Sequence, residues 1–203
     1  MMVALPAAAA PGRFEQVFSN AHEPPHLHYR VQFVANGGPH VVEVWREGDR
    51  RLKRATDNAI VTHAAHRPGI TGYTMVMLDL RRRISTHIDR TNLYRIGNFT
   101  DWFDLGHGLR HPQGQYRIRP ALPPRGSVAP LRPCRWFALT EGAHTSRICW
   151  DRTNAVPLLI AGADGRIVWQ VTALDTHAIS PSVFQIADKG FIQNDARRDI
   201  SGD

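Results

Sequence analysis

Residues Pro133–Trp150 read PCRWFALTEGAHTSRICW and contain both cysteines of the 203-residue chain. Cys134 and Cys149 each lie beside a tryptophan-containing, strand-like run, and the polar residues between them are typical of a turn. A hairpin centred between Glu141 and Gly142 would place the cysteines opposite each other, with Cα atoms about 4.5–5.5 Å apart. That distance lies within the disulfide range, so the stretch predicts an antiparallel hairpin closed by a disulfide. Two buried free thiols are the alternative.

The amino-terminal sequence, MMVALPAAAAPGRF, is similar to the end of a secretory signal peptide, with an alanine-rich cleavage region at residues 7–10. It lacks a basic region, so either translation starts further upstream or the segment is only an alanine-rich tail. Because paired cysteines form disulfides in oxidising compartments, we expect residues 1–10 to be a signal-peptide remnant. The protein itself is then predicted to be secreted, soluble and periplasmic. No run of 18 apolar residues occurs, so the sequence predicts no membrane-spanning helix.

The composition fits one globular domain with an excess of positive charge. The chain has 25 Lys and Arg against 18 Asp and Glu, a net charge of +7, and 42% hydrophobic residues. We expect a single domain over residues 11–193 and a flexible polar tail over residues 194–203. The charge is compatible with anionic lipid or nucleic acid. Aromatic residues alternate with polar ones along the predicted strands and so face inward, which argues against nucleic acid.

Alternation of apolar and polar residues, interrupted by glycine-rich turns, predicts a mainly β protein. The predicted strands cover residues 29–35, 41–45, 50–55, 73–80, 84–88, 134–139, 147–150, 157–160 and 166–174. The stretch 58–72 is ambiguous, and residues 120–133, with five prolines, predict a connector or an irregular edge strand. One amphipathic helix is predicted from about Phe99 to Leu109, capped by Asn98 or Thr100. A curved antiparallel sheet forming an incomplete barrel is therefore expected, with one or two short helices covering its concave face.

Three segments of the second half resemble a known group of proteins. They read VAPLRPCRWFAL (residues 128–139), CWDRTNAVPLLI (residues 149–160) and SPSVFQI (residues 180–186). This order is similar to the carboxyl-terminal part of periplasmic proteins with the lipoprotein-carrier fold, the LolA-like and LppX-like group, over about residues 128–192. The resemblance implies an incomplete barrel whose cavity holds acyl chains or a lipoprotein anchor. It also implies that the helix near residues 99–109 plugs that cavity.

The plugging helix supplies the candidate ligand contacts, which are Trp102, Phe103, Leu105 and Leu109. The alternative is that these side chains only fill the barrel. The sequence has no G-x-S-x-G, H-E-x-x-H or P-loop motif. We therefore expect a non-enzymatic protein without a cofactor that binds a lipid or a lipoprotein acyl chain. It is expected to be a monomer with peripheral contacts to membrane components.

Histidines near the first strand offer a different function. His22, His26 and His28 form an H-x-x-x-H-x-H pattern, and His26 and His28 would project to the same side of an extended segment. Imidazoles placed in this way are typical ligands of copper or zinc. A periplasmic metal-binding protein that uses His26 and His28 is thus the second hypothesis. A structural or assembly factor without a small ligand is the third.

Overall fold

The computed structural model describes residues 12–66, 72–88 and 102–195. The predicted signal-peptide remnant, the helix caps Asn98 and Thr100, and most of the predicted tail lie outside the described residues. The strands are β1 Leu27–Ala35, β2 Gly38–Glu47, β3 Arg51–Thr56, β4 Ile60–His66, β5 Tyr73–Asp79, β6 Ile84–Ile88, β7 Tyr116–Pro120, β8 Arg135–Glu141, β9 His144–Asp151, β10 Val156–Ala161, β11 Ile167–Asp175 and β12 Ile192–Asp195.

All twelve strands belong to one sheet in the order β12-β6-β5-β4-β3-β2-β1-β11-β10-β9-β8-β7. Every neighbouring pair is antiparallel except β12 and β6, which run parallel. Within the described residues β7 and β12 form the two ends of the sheet and do not pair with each other. The predicted fold class is confirmed: the chain is mainly β and forms an incomplete barrel.

Two short α-helices occur in the described part of the chain, α1 at Phe14–Val17 and α2 at Trp102–His107. The helix α2 ends at Gly108, whose φ of +69° requires the left-handed conformation that glycine adopts readily. The Gly108 amide donates to the carbonyl oxygen of Asp104 at 2.8 Å. The predicted helix from Phe99 to Leu109 is thus observed over its central six residues, and residues 99–101 are not described. Neither of these helices has the length and apolar character needed to cross a membrane.

The helices cover the concave face of the sheet, where strand alternation places the larger apolar side chains. Cross-strand partners on this face form a row that runs Tyr29, Val44, Arg54, Thr62 and Met77. One end of the concave face is filled by an aromatic cluster that includes Phe14, Phe18, Phe103 and Trp150. The other end is filled by Leu52, Ala64, Tyr73, Met75, Ile88 and Leu105. The helix α2 contributes to both clusters and so joins the two halves of the core.

The convex face carries a smaller apolar cluster under the segment of residues 176–191, which we call the strap. The strap leaves β11 in the middle of the sheet and ends at β12 on its edge. Phe191 packs against Val61, Val76 and Leu78, and the guanidinium carbon of Arg51 lies 4.3 Å from the centre of the Phe184 ring. The strap therefore covers apolar side chains on the convex face, and the alternation within the strands does not predict this cover.

The predicted disulfide is present, and Cys134 and Cys149 have Cα atoms 5.4 Å apart. The predicted register of the hairpin is wrong, because Cys149 faces Trp136 and the strands turn at Gly142 and Ala143. Cys134 therefore lies just before β8 and reaches Cys149 diagonally. The positive φ of Gly142, +54°, fixes the turn one residue later than the sequence symmetry indicates.

Candidate functional site

The helix α2 is held on the concave face by hydrogen bonds to its backbone. The carbonyl oxygen of Gly106 accepts from the Tyr29 hydroxyl at 3.1 Å and from Nη1 of Arg46 at 3.0 Å. Both donors come from the sheet, from β1 and β2, and both side chains are fully buried. Burial raises the pKa of Tyr29 to about 12, so its hydroxyl keeps its proton and remains a donor.

A buried charged cluster surrounds this contact. Oε2 of Glu23 lies 3.2 Å from Nη2 of Arg46 and 2.7 Å from Nε2 of His107. Arg46 also donates to the carbonyl oxygen of Asn154 at 3.0 Å, and Nδ1 of His107 lies 3.0 Å from the carbonyl oxygen of Phe103. Because its members bind one another and the backbone, the cluster fastens α2 to the sheet and to the β9–β10 turn.

The pKa directions in this cluster follow from burial and pairing. Burial opposes ionisation of Glu23, but the hydrogen bond from His107 and the charge of Arg46 outweigh it, so the Glu23 pKa is lowered. Burial lowers the His107 pKa, and the hydrogen bond to Glu23 opposes that shift only in part. At neutral pH the cluster therefore holds an ionised Glu23 paired with Arg46.

Beside α2 the concave face leaves a cleft of about 310 Å³, which we call the concave cleft. Cross-strand pairing brings its floor together, because Arg54 faces Thr62 and Thr62 faces Met77. Its lining residues are Arg54, Thr56, Ile60, Thr62, Met75, Met77, Asp104, Leu105 and Arg110. The sheet side of the cleft is thus mixed: Ile60, Met75 and Met77 are apolar, and Arg54, Thr56 and Thr62 are polar.

The charges at the concave cleft are predominantly positive. Nε of Arg110 lies 3.6 Å from Oδ2 of Asp104. Arg54 is half-buried and has no ion pair within the described part of the chain. Apolar side chains beside such a cation match a ligand with a hydrocarbon chain and an anionic group.

The structure separates the four predicted ligand contacts of α2. Leu105 lines the concave cleft. Phe103 and Leu109 lie in the aromatic cluster at the other end of the concave face. Trp102 is half-buried, with its ring 4.2 Å from that of His66 and 5.3 Å from that of Tyr73. Their contact with a ligand stays a prediction.

Most residues of the cleft, including Arg54, Met75 and Met77, were not predicted from the sequence. A signal for the methionines was present, because Met75 and Met77 are two residues apart in the strand YTMVMLDL and so share one face. Arg54 gave no such signal, since only the pairing of β3 with β4 shows which way its side chain points.

A larger hollow, of about 450 Å³, lies at the β1–β2 hairpin. In its lining, Gln32 is the cross-strand partner of both Val41 and Gln170. His40 and Asp57 form an ion pair of 2.6 Å at its edge. No residue of α2 is among the described residues that line this hollow, so it is used as a comparison site.

The predicted metal ligands lie at the start of β1. The His28 ring stacks on Trp45, with ring centres 4.7 Å apart, and its Nε2 lies 3.9 Å from Oε1 of Glu43. Burial lowers the His28 pKa, against the charge of Glu43. Residues 12–66, 72–88 and 102–195 contain no group of three or more His, Cys, Asp or Glu side chains placed to hold a metal ion. A site on His26 and His28 stays a prediction.

No protein-family model matches the sequence, and no curated protein is significantly similar to it. Among solved structures the chain is similar to a crystal structure of MucB, with 15% identity and a TM-score of 0.47, covering 87% of this chain and 62% of that one. It is also similar to a chain of the MucA/MucB complex of Pseudomonas aeruginosa, with 17% identity, a TM-score of 0.42 and coverage of 80% and 56%. A structure of MucB in complex with MucA(peri) gives 17% identity, a TM-score of 0.42 and coverage of 84% and 57%. The chain spans less than two thirds of the length of each of these chains.

Proposed function

We propose that the protein is a periplasmic, non-enzymatic binding protein for an apolar ligand with an anionic group, such as a lipid or a lipoprotein acyl chain. The concave cleft carries this proposal, because it combines the apolar side chains of Ile60, Met75, Met77 and Leu105 with the half-buried guanidinium of Arg54. The lipoprotein-carrier group that the sequence resembles would use its concave face in the same way.

The size and composition of the concave cleft set what it can hold. Its volume of about 310 Å³ is at the lower end of the roughly 300–1,000 Å³ range of ligand pockets. It therefore suits one acyl chain, or part of one, better than a complete lipid. Burying each methylene contributes about 0.8 kcal/mol, so about eight methylenes would supply some 6 kcal/mol. Met75 and Met77 have flexible side chains that adapt to chains of different length.

Two further observations support the non-enzymatic and periplasmic parts of the proposal. The described residues that line the concave cleft include no histidine, cysteine or serine. The disulfide between Cys134 and Cys149 is of the kind that persists in oxidising compartments.

Binding of a fluorescent fatty-acid probe to the purified protein tests the ligand class. Met77→Lys places a charge on the cleft floor and should weaken binding at least tenfold. Val34→Lys makes the same kind of change in the comparison hollow and should leave binding unchanged. Arg54→Gln should weaken the binding of the fatty acid more than that of the corresponding alcohol.

The proposal fails if the native protein binds neither probe, or if Val34→Lys reduces binding as much as Met77→Lys does. Native mass spectrometry of protein purified from its host provides an independent measurement. It should show a bound lipid that is absent from the Met77→Lys variant, and detection of a bound metal ion instead would favour the hypothesis based on His26 and His28.

A further inference from the structure

The middle of the chain has an unusually one-sided charge. Residues 105–140 contain six arginines and neither aspartate nor glutamate. The arginines are Arg110, Arg117, Arg119, Arg125, Arg132 and Arg135. Since the whole chain carries a net charge of +7, this segment accounts for most of the positive excess.

Exposed apolar side chains are concentrated in the same segment. The described residues include seven exposed large hydrophobic side chains, and three of them lie in residues 121–134, which we call the connector. Leu122 is 82% exposed, Val128 47% and Leu131 48%. The other four are scattered over the sheet, its turns and the strap, as single exposed apolar residues usually are.

The connector is fastened at both ends and near its middle. The Ala121 amide donates to the carbonyl oxygen of Trp136 at 2.9 Å, and Cys134 is bonded to Cys149. Pro124 is buried against the β10–β11 turn, next to Gly165. The exposed side chains of the connector are therefore presented by a backbone that the sheet holds in place.

Arginines of the adjoining strands extend this surface. On β7 to β9, Arg119 faces Ala138 and Ala138 faces Arg147, while Arg117 faces Thr140. Small residues thus separate the guanidinium groups and leave a groove of about 410 Å³. None of these three arginines has an ion pair within the described residues.

The acidic residues near this surface do not neutralise it. Asp164, on the turn beside Pro124, lies 3.5 Å from Nε of Arg166 and is paired there. Glu141 is at an odd-numbered position of β8, on the opposite face from Ala138 and Thr140, and it accepts a hydrogen bond from the Gln113 amide at 3.0 Å.

We propose that the connector and the arginines of β7 to β9 form a docking surface for a bilayer that contains anionic phospholipid. Leucine and valine side chains enter the interface between head groups and acyl chains, while arginines bind phosphate oxygens in pairs of hydrogen bonds. Each arginine close to an anionic surface strengthens binding roughly fivefold. The surface combines the two chemistries that peripheral membrane binding needs.

The same features disfavour an acidic peptide added as a strand to β7. Pro120 removes a backbone donor from this edge, and the connector that follows begins with Ala121 and contains four more prolines. Prolines are typical of sheet edges that resist further pairing. A partner that needed backbone hydrogen bonds would find few here, whereas a bilayer needs none.

Sedimentation with vesicles of phosphatidylcholine, with and without phosphatidylglycerol, tests the proposal. The native protein should bind the anionic vesicles and release them as salt is raised. The double variant Arg125→Glu/Arg132→Glu should bind them at least ~25-fold more weakly. Arg81→Glu/Arg82→Glu changes the net charge equally, at the exposed turn between β5 and β6, and should bind like the native protein.

A second pair of variants separates the apolar contribution. Leu122→Ser/Leu131→Ser should weaken vesicle binding without changing the salt dependence, and Leu80→Ser is the matched control outside the connector. Equal binding to neutral and anionic vesicles by the native protein overturns the proposal. So does an equal loss in the Arg81/Arg82 control, or binding to soluble poly-glutamate with no binding to vesicles, which would indicate an acidic protein partner.

Discussion

Removing the carboxylate of Glu23 should destabilise the protein far more than its position near the amino terminus indicates. Glu23→Ala leaves the guanidinium of Arg46, which is fully buried, without the carboxylate that lies 3.2 Å from it. Uncompensated charges of this kind cost about 3–5 kcal/mol. Because the Glu23 side chain is itself 13% exposed, we expect the lower end, about 3 kcal/mol.

A matched control is available at the surface. Glu47 also binds two arginines, Arg50 and Arg51, but the Arg50 side chain is 62% exposed. Exposed ion pairs contribute about 0–1 kcal/mol, so Glu47→Ala should lower the free energy of unfolding by no more than that. The double variant Glu23→Ala/Arg46→Met should lose less than the sum of its single variants, because no guanidinium then remains buried without a partner.

Urea denaturation at pH 7 with the disulfide intact measures these free energies. Hydrogen exchange of the α2 amides should also accelerate in Glu23→Ala, because Arg46 links Glu23 to the carbonyl oxygen of Gly106. If Glu23→Ala and Glu47→Ala cost the same, or if the double-variant losses simply add, then Arg46 does not depend on Glu23. The account of how α2 is fastened would then be wrong.

Three further predictions concern stability. Gly108→Ala should lower the free energy of unfolding by at least about 2 kcal/mol, since the new Cβ would lie 2.4 Å from the Trp169 ring at a φ of +69°. Gly114 has a φ of +98° but open space around it, so Gly114→Ala should cost about 1 kcal/mol in the same denaturation assay. Burial, helped by the charge of Lys53, lowers the pKa of His63 to about 4, so the free energy of unfolding should fall by up to about 3 kcal/mol as the pH drops from 6.5 to 4. His63→Asn should flatten that fall, and an unchanged pH profile would contradict the assignment. Replacing Cys134 and Cys149 together with alanine should cost about 3 kcal/mol, and an unaltered denaturation midpoint would refute it.

The sequence predicted the sheet well where strands alternate and glycines mark the turns. The strand from Tyr29 was predicted correctly, because period-two alternation is a local property. The strand β4 lies in the ambiguous stretch 58–72, where Pro68 and Gly69 indicate a break. The edge strand β7, with only five residues, lies next to the proline-rich connector and gave no separate signal.

The candidate site was harder to predict from the sequence than the sheet, because long-range strand pairing decides which side chains line it. The helix α2 was identified by its apolar residues, but a six-residue helix touches two clusters at once. Which of its side chains borders open space depends on how far β3, β4 and β5 extend beyond it, and that is set by long-range pairing. Likewise, Glu23 and Arg46 are separated by 23 positions in the sequence, and no local pattern marks them as partners.

The concave cleft and the connector lie on different strands that are far apart in the sheet, so we expect them to bind their ligands independently. From β4, in the floor of the cleft, to β8, which follows the connector, there are seven strand-to-strand steps. At about 4.8 Å per step the path along the curved sheet is about 34 Å. No residue of the connector is among the described residues that line the cleft. Met77→Lys should then leave vesicle binding unchanged, and Arg125→Glu/Arg132→Glu should leave fatty-acid binding unchanged. A folded variant that lost both fatty-acid binding and vesicle binding would show that the two surfaces are coupled. That result would contradict their independence, which follows from their separate residues on the sheet.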